Sequence, residues 1–225
     1  MQEYYSEKLA AERLRRCYAI APLRVRQYLQ AEIDYTLTQI PENSSVLELG
    51  CGYGRVLEPL TGKAETVVGI DTSLSSLILA RKFLLGRANC FLACMNAGRL
   101  AFRDNVFDVT ICIQNGISAF HIDQRQLIKE SLRVTKPGGR VLFSTYSDRF
   151  WGERLAWFEL QAEAGLIGEI DYGLTGDGDI VGTDGFTATT VSRSQFQELT
   201  ANLAIEVELV EVDDSSLFCK LLKTG

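Results

Sequence analysis

The chain runs to 225 residues, 46% hydrophobic and 23% charged, a balance that suits one sizeable globular domain with a full core. Its net charge of −6 disfavours a non-specific hold on phosphate backbones, which depends on clustered lysine and arginine. No apolar stretch approaches the roughly 20 residues of a membrane-spanning helix. The opening Met1-Gln2-Glu3-Tyr4-Tyr5-Ser6-Glu7-Lys8 lacks a basic-then-apolar secretory pattern, so a cytoplasmic protein is expected.

Residues 3–39 read as two helices broken near Pro22. Leu9, Leu14, Tyr18 and Ile20, then Val25, Tyr28, Leu29, Ile33, Leu37 and Ile40, recur at roughly helical intervals, and Pro41 ends the region. Arg13, Arg15, Arg16, Arg24 and Arg26 concentrate here. They interleave with Glu7, Glu12 and Glu32 as on a solvated helix face, so no nucleic acid is expected as a partner. Strands are then expected at 45–49, 66–71, 90–95, 107–114 and 140–146, with helices at 54–61, 73–86 and 123–134. This alternation implies a parallel sheet with helices on both faces. Residues 150–166 read as a helix, and the Gly-, Asp- and Thr-rich stretch 168–190 as a hairpin or two lying over the sheet. Residues 205–212 alternate strictly, Asp213-Asp214-Ser215 make a turn, and 216–222 return as a strand. So short a connection allows only antiparallel pairing. The expected fold is therefore α/β: a Rossmann-like, seven-stranded, mostly parallel sheet with helices on both faces and a C-terminal antiparallel hairpin. One domain spans 1–225, with 1–41 as an N-terminal helical cap and 147–193 as an insertion.

The most informative stretch is Val46-Leu47-Glu48-Leu49-Gly50-Cys51-Gly52-Tyr53-Gly54-Arg55. An apolar strand runs into three alternating glycines, where backbone takes positive φ or closely approaches a ligand. A dinucleotide loop wants G-x-G-x-x-G, its third glycine letting helix and strand pack closely. Counted from Gly50, that third place is Arg55, too bulky for the role. Val67-Val68-Gly69-Ile70-Asp71 follows as a second strand ending in a carboxylate about 20 residues on, where an acid can accept two bonds from a ribose diol. Ligands in such sheets bind at the carboxyl ends of the strands, and Gly50, Asp71, Asn96 and Gln114 all fall at or just past such ends.

Glu-x-Gly-x-Gly-x-Gly resembles the cofactor loop of class I S-adenosylmethionine-dependent methyltransferases, and the resemblance covers roughly residues 44–147. Met95-Asn96-Ala97-Gly98-Arg99-Leu100-Ala101-Phe102 stands at the family's D-A-x-x-L-P-F segment. Phe107-Asp108-Val109-Thr110-Ile111-Cys112-Ile113-Gln114 is similar to its F-D-x-V strand, and Lys136-Pro137-Gly138-Gly139 to its L-K-P-G-G turn. Asn96 replaces the aspartate that receives the adenine amino group, though an amide oxygen can still accept that bond, and Ala101 replaces a proline. The resemblance implies S-adenosylmethionine as cofactor, with Asp71 and its neighbour Thr72 at the ribose. Gly50, Cys51, Gly52 and Gly54 then approach the methionine and ribose part. Glu48 faces the ammonium or holds the glycine turn, Asn96 and Ala97 frame adenine, and Gln114 lines the methionine tail. Tyr4, Tyr5, Tyr18, Arg24 and Arg26 are candidates to fold over the cofactor, with an arginine meeting its carboxylate. The insertion at 147–193 is expected to shape the acceptor pocket.

No catalytic base is evident. His121, the chain's one histidine, and Tyr146 are the candidates, each weighed against a capping or core role. A histidine-based metal site is impossible, and Cys90 and Cys94 lack the partners of a zinc set, so no metal is expected. Cys51, Cys90, Cys94 and Cys112 are expected in or beside buried strands, and reduced cysteines fit a cytosolic compartment. Methyl transfer to a small-molecule acceptor is the expected activity. The alternatives are a non-catalytic binder of the same cofactor and an NAD-dependent oxidoreductase. The latter is opposed by Arg55 and the terminal hairpin, and methylation of RNA or protein is opposed by charge.

Overall fold

A computed structural model describes Tyr4 and residues 8–224. Helix α1 (Ala11–Ala19) stops before Pro22, which takes the N-cap place of α2 (Leu23–Gln39) because a proline there loses no intrahelical bond. Then come β1 (Ser45–Leu49), α3 (Leu57–Leu60), β2 (Thr66–Asp71), α4 (Leu74–Phe83), β3 (Cys90–Cys94), β4 (Phe107–Cys112), α5 (Gly116–Ala119), α6 (Gln124–Val134) and β5 (Thr135–Tyr146). The insertion holds α7 (Trp151–Glu163) and the two-residue strands β6 (Ile180–Val181) and β7 (Thr187–Ala188). Helix α8 (Arg193–Thr200), β8 (Ile205–Val212) and β9 (Ser216–Lys223) complete the elements.

Seven strands form one sheet in the order β3-β2-β1-β4-β5-β9-β8. The first five pair parallel, whereas β9 pairs antiparallel with both β5 and β8. Strand order reverses between β1 and β4, and the crevice outside their carboxyl ends is where such sheets take ligands. The hairpin turns on Asp213 and Asp214 with φ of 57° and 50°, the positive-φ pair that a tight β-turn matching strand twist requires. At Lys136-Pro137-Gly138-Gly139 the β4–β5 register shifts: Phe107 pairs Thr135, but Val109 pairs Arg140.

Alternate strand residues feed two apolar layers. Leu47, Cys112 and Phe143 pack with Leu127 and Ile128 of α6 and Phe196 of α8, while Val46, Ile111 and Leu142 pack with Ile33 of α2, Leu57 of α3 and Leu77 of α4. Each fully buried aliphatic side chain of this kind contributes about 1.5–3 kcal/mol. A third cluster, rich in rings, joins Tyr28 of α2, Tyr146, Phe150, Trp157, Phe158 and Phe186. Here the insertion packs against the N-terminal helices, so residues 168–190 sit in this cap and not flat over the sheet.

Several element bounds differ from the sequence reading. Helix α3 is one turn, Leu57–Leu60, because Gly54 to Val56 are spent on the loop and Pro59 brings no N–H. Strand β4 ends at Cys112, since Gln114 and Asn115 take φ of 57° and 64°. Cys94 is exposed, being on β3 at the sheet edge; Cys51 and Cys112 are buried as expected.

Candidate functional site

The loop after β1 is built by backbone bonds to the end of β2. Gly50 and Cys51 N–H both donate to the Ile70 carbonyl, at 2.8 and 2.9 Å, and Gly52 N–H donates to Asp71 Oδ2 at 2.8 Å. Gly50 has φ of +74°, which strains any side chain, and a Cβ there would stand 2.4 Å from Cζ of Phe120 and force that ring to move. Asp71 Oδ1 accepts Ser73 N–H at 2.8 Å. Burial raises the Asp71 pKa, opposed by those backbone donors. Each oxygen has accepted one backbone bond and retains capacity for another.

Around this loop lies a cleft of about 1120 Å³ counted out to its open mouth. Glu48, Gly50, Cys51, Gly52, Asp71, Thr72, Asn96, Ala97 and Gln114 line it, so nine of the ten expected cofactor residues converge. The tenth, Gly54, is not among the lining residues; a Cβ there would meet Leu84, the residue that caps α4, at 2.8 Å. Asn96 is exposed at the mouth, its Oδ1 accepting Gly98 N–H at 2.8 Å. Gln114 N–H donates to Glu32 Oε2 at 2.8 Å and to Ser144 Oγ at 2.7 Å, which holds its positive φ. Glu32 is fully buried on α2 and also accepts Ser216 Oγ–H at 2.7 Å; burial pushes its pKa up to about 7, against those hydrogen bonds.

Three side chains in the cleft have buried polar atoms with no hydrogen-bond partner: Glu48 Oε2, Gln114 Nε2, and Arg55 Nε and Nη2. Burial pushes the Glu48 pKa up to about 8, with the nearby Arg55 charge opposing. Buried polar groups are ordinarily paired, so one acceptor atom and three donor atoms left open in one cleft point to a ligand carrying both signs of charge. Arg55 was absent from the expected site because its bulk served only to exclude a dinucleotide loop.

Helix α1 covers the cleft with Leu9 just before it and Leu14 and Tyr18 on it. Its first N–H, on Ala11, donates to Ser76 Oγ of α4 at 2.9 Å. On the other side, Arg13 donates to the Gly165 and Leu166 carbonyls at 2.9 and 2.8 Å, and Trp157 Nε1 to the Cys17 carbonyl at 3.0 Å. Among the described residues none of 147–193 lines the cleft; the insertion reaches it by backing α1. Of the other N-terminal candidates, Arg24 pairs with Asp213 at the hairpin turn, Arg26 is exposed, and Tyr4 Oη donates to Asp184 at 2.6 Å. Tyr5 lies outside the described residues.

His121 has φ of 50° and a pKa lowered by burial; its neighbours Phe120 and Ile122 line the cleft, but it does not. Tyr146 stacks parallel to Phe150 in the aromatic cap, burial pushing its pKa up to about 12. Asn115, which follows Gln114, is bound up in structure: it donates to the Thr189 carbonyl at 2.8 Å and accepts Thr145 Oγ1–H at 2.9 Å.

Residues 47–143 match the family model described as a methyltransferase domain. The chain is 33% identical over 136 residues to a malonyl-[acyl-carrier protein] O-methyltransferase of Marinomonas sp., covering 57% of this chain and 48% of that protein. It is 32% identical over 132 residues to a ubiquinone biosynthesis O-methyltransferase of Thiobacillus denitrificans, covering 57% and 52%. The chain thus spans about half the length of these curated relatives. Its fold is similar to that of the N-methyltransferase NodS of Bradyrhizobium japonicum WM9 in complex with S-adenosyl-L-homocysteine. That likeness has a TM-score of 0.65 at 15% identity and covers 100% of this chain and 98% of that one. A Pyrococcus horikoshii OT3 protein superposes with a TM-score of 0.67 at 21% identity over 100% and 99% of the two chains. Sheet order, glycine loop and matched segment define a class of cofactor-dependent transferase. Residues 47–143 of this chain carry a methyltransferase domain, and its curated relatives and fold neighbours resemble the class I S-adenosylmethionine-dependent methyltransferases. The cofactor of that family is S-adenosylmethionine, and the open Glu48, Arg55 and Gln114 atoms fit its zwitterionic amino-acid end. No helix among the described residues is long and apolar enough to cross a membrane.

Proposed function

We propose that this chain transfers the methyl group of S-adenosylmethionine to a small-molecule acceptor bound on the α1 side of the cleft, in a reducing, cytoplasmic setting. The observation that carries the reading is the convergence of unpaired buried atoms on Glu48, Arg55 and Gln114 with Asp71 and the glycine loop. The cofactor, when bound, supplies an activated methyl on a sulfonium. Asp71 takes the ribose hydroxyls on the lone pairs that Gly52 and Ser73 leave open. Asn96 and Ala97 frame adenine at the mouth, with Thr72 beside the ribose, and the bare backbone of Gly50 and Cys51 permits close approach. Gln114 lines the methionine tail. Leu9, Leu14 and Tyr18 exclude water from the acceptor side, and residues 147–193 shape that side through their hold on α1. Such positioning can supply about 7–11 kcal/mol of the barrier.

Neither His121 nor Tyr146 lines the cleft, so an amine or thiol, which can lose its proton to solvent, suits the site better than a hydroxyl or carbon acid. The same observation supports a second reading, a cofactor-binding protein without turnover. Calorimetry with S-adenosylhomocysteine, followed by methyl release from labelled S-adenosylmethionine with amine, thiol and hydroxyl acceptors, separates them. Binding with turnover is expected. Binding without turnover on any acceptor favours the second reading, no binding removes both, and label appearing in RNA or protein overturns the small acceptor.

A further inference from the structure

Arg55 follows the last glycine of the loop and lies with its guanidinium 4.5 Å from the centre of the Tyr18 ring. Its Nε and Nη2 are buried without a hydrogen-bond partner. Those two nitrogens share one edge of the planar fork, the edge whose two parallel N–H bonds match the two oxygens of one carboxylate. Glu48 lines the same cleft with Oε2 equally open, yet no ion pair joins the two among the described residues. Arg55 is half-buried, but these two donors are shielded from water with no acceptor, and buried donors are ordinarily paired, so the arrangement is complete only with an acceptor group on that edge. The other cleft-lining acid, Asp71, is engaged by Gly52 and Ser73. The Tyr18 ring lies against the guanidinium without taking a hydrogen bond from Nε or Nη2, and Tyr18 belongs to α1, outside the matched segment 47–143.

We propose that Arg55 binds the carboxylate at the amino-acid end of the cofactor, with Tyr18 as the positioning residue that holds the guanidinium in plane. The proposal rests on the reading of the cleft as an S-adenosylmethionine site. It divides the zwitterion between Arg55 on its anionic side and Glu48 with Gln114 on the rest of that end. It also makes α1 part of the binding machinery: a carboxylate on Arg55 fixes the cation, and the cation holds the lid through the Tyr18 ring.

The test compares S-adenosylhomocysteine with 5′-methylthioadenosine, which has the same nucleoside and thioether but no amino-acid head, by calorimetry on the full chain. Arg55→Met should weaken S-adenosylhomocysteine at least about tenfold, the scale of a lost charge-assisted bond, while changing 5′-methylthioadenosine by less than about twofold. Arg55→Lys should recover part of the loss. Tyr18→Leu should weaken S-adenosylhomocysteine by about threefold or more, and the double variant should be no weaker than Arg55→Met alone. Equal weakening of both ligands by Arg55→Met, or of neither, overturns the Arg55 assignment; unaltered affinity in Tyr18→Leu overturns the role of the ring. Should Arg55→Met not fold, Arg55→Lys decides: an unchanged ratio between the two ligands overturns the proposal. A wild-type chain that binds neither compound defeats the cofactor reading itself, whereas one that binds both with equal affinity defeats only the carboxylate site.

Discussion

Two arginines lie over tyrosine rings at the same 4.5 Å, Arg154 on Tyr146 in the aromatic cap and Arg55 on Tyr18 in the cleft. Their surroundings are opposite. Arg154 is fully buried, and its Nη1 and Nη2 donate to the carbonyls of Gly178 and Ala188 at 2.6 and 2.7 Å, tying α7 to both arms of the insertion. Arg55 is half-buried with two donors open. A cation–aromatic stack therefore says little about role. What the polar edge finds decides whether the group holds structure or waits for a ligand.

Four changes break or sharpen that contrast. Arg154→Met leaves two carbonyls without donors and removes the stack, so it should lower stability by about 3 kcal/mol in a urea melt while leaving S-adenosylhomocysteine affinity unchanged in whatever remains folded. A loss within about 0.5 kcal/mol, the range of an ordinary surface substitution, would erase the distinction. Glu32→Ala strips an acceptor from Gln114 N–H and from Ser216, with an expected loss of about 2 kcal/mol by the same melt. Asp71→Ala should weaken S-adenosylhomocysteine at least about thirtyfold by calorimetry; unaltered affinity removes the ribose contact.

The smallest effect is a pH dependence. Burial holds the Glu48 pKa up at about 8 and that of Glu32 at about 7, above the ~4.3 of an unfolded chain. The folded chain thus keeps protons that the unfolded chain releases. The stability from these groups is full below about pH 4 and is lost as pH rises through 7 to 8. Glu48→Gln should flatten that decline, matching wild type near pH 4 and exceeding it on the order of 1 kcal/mol near pH 8.5, as read by thermal melts across pH. Wild type and variant falling in parallel would show that Glu48 carries no such burden.

Strands β1 and β2 fall at the expected residues, and so does the terminal hairpin, because alternation and glycine punctuation act locally. Strand order is a matter of crossover packing and was available only through the family resemblance. Glu32 illustrates a different gap. It was grouped with solvated acids, yet it lies four residues after Tyr28 and one before Ile33, on the buried stripe of α2. Its place among apolar positions was readable; its partners, Gln114 and Ser216, are 82 and 184 residues away and were not. Arg55 escaped because pattern reading asks which residue a loop rejects, not where a rejected side chain goes. The two-residue strands β6 and β7 are too short to leave a period at all.

Strand β9 follows the other six strands of its sheet in chain order, yet it is an inner strand, bonded to β5 along 140–146 on one side and to β8 along 205–212 on the other. Until it emerges from the ribosome, β5 presents a bare row of peptide groups to any passing chain, and the site that contains Phe218 is empty. Folding cannot then proceed smoothly from front to back. The sheet must be held half-made until its distant keystone arrives, which makes this protein dependent on late, long-range closure and exposes it to aggregation if translation stalls before residue 216.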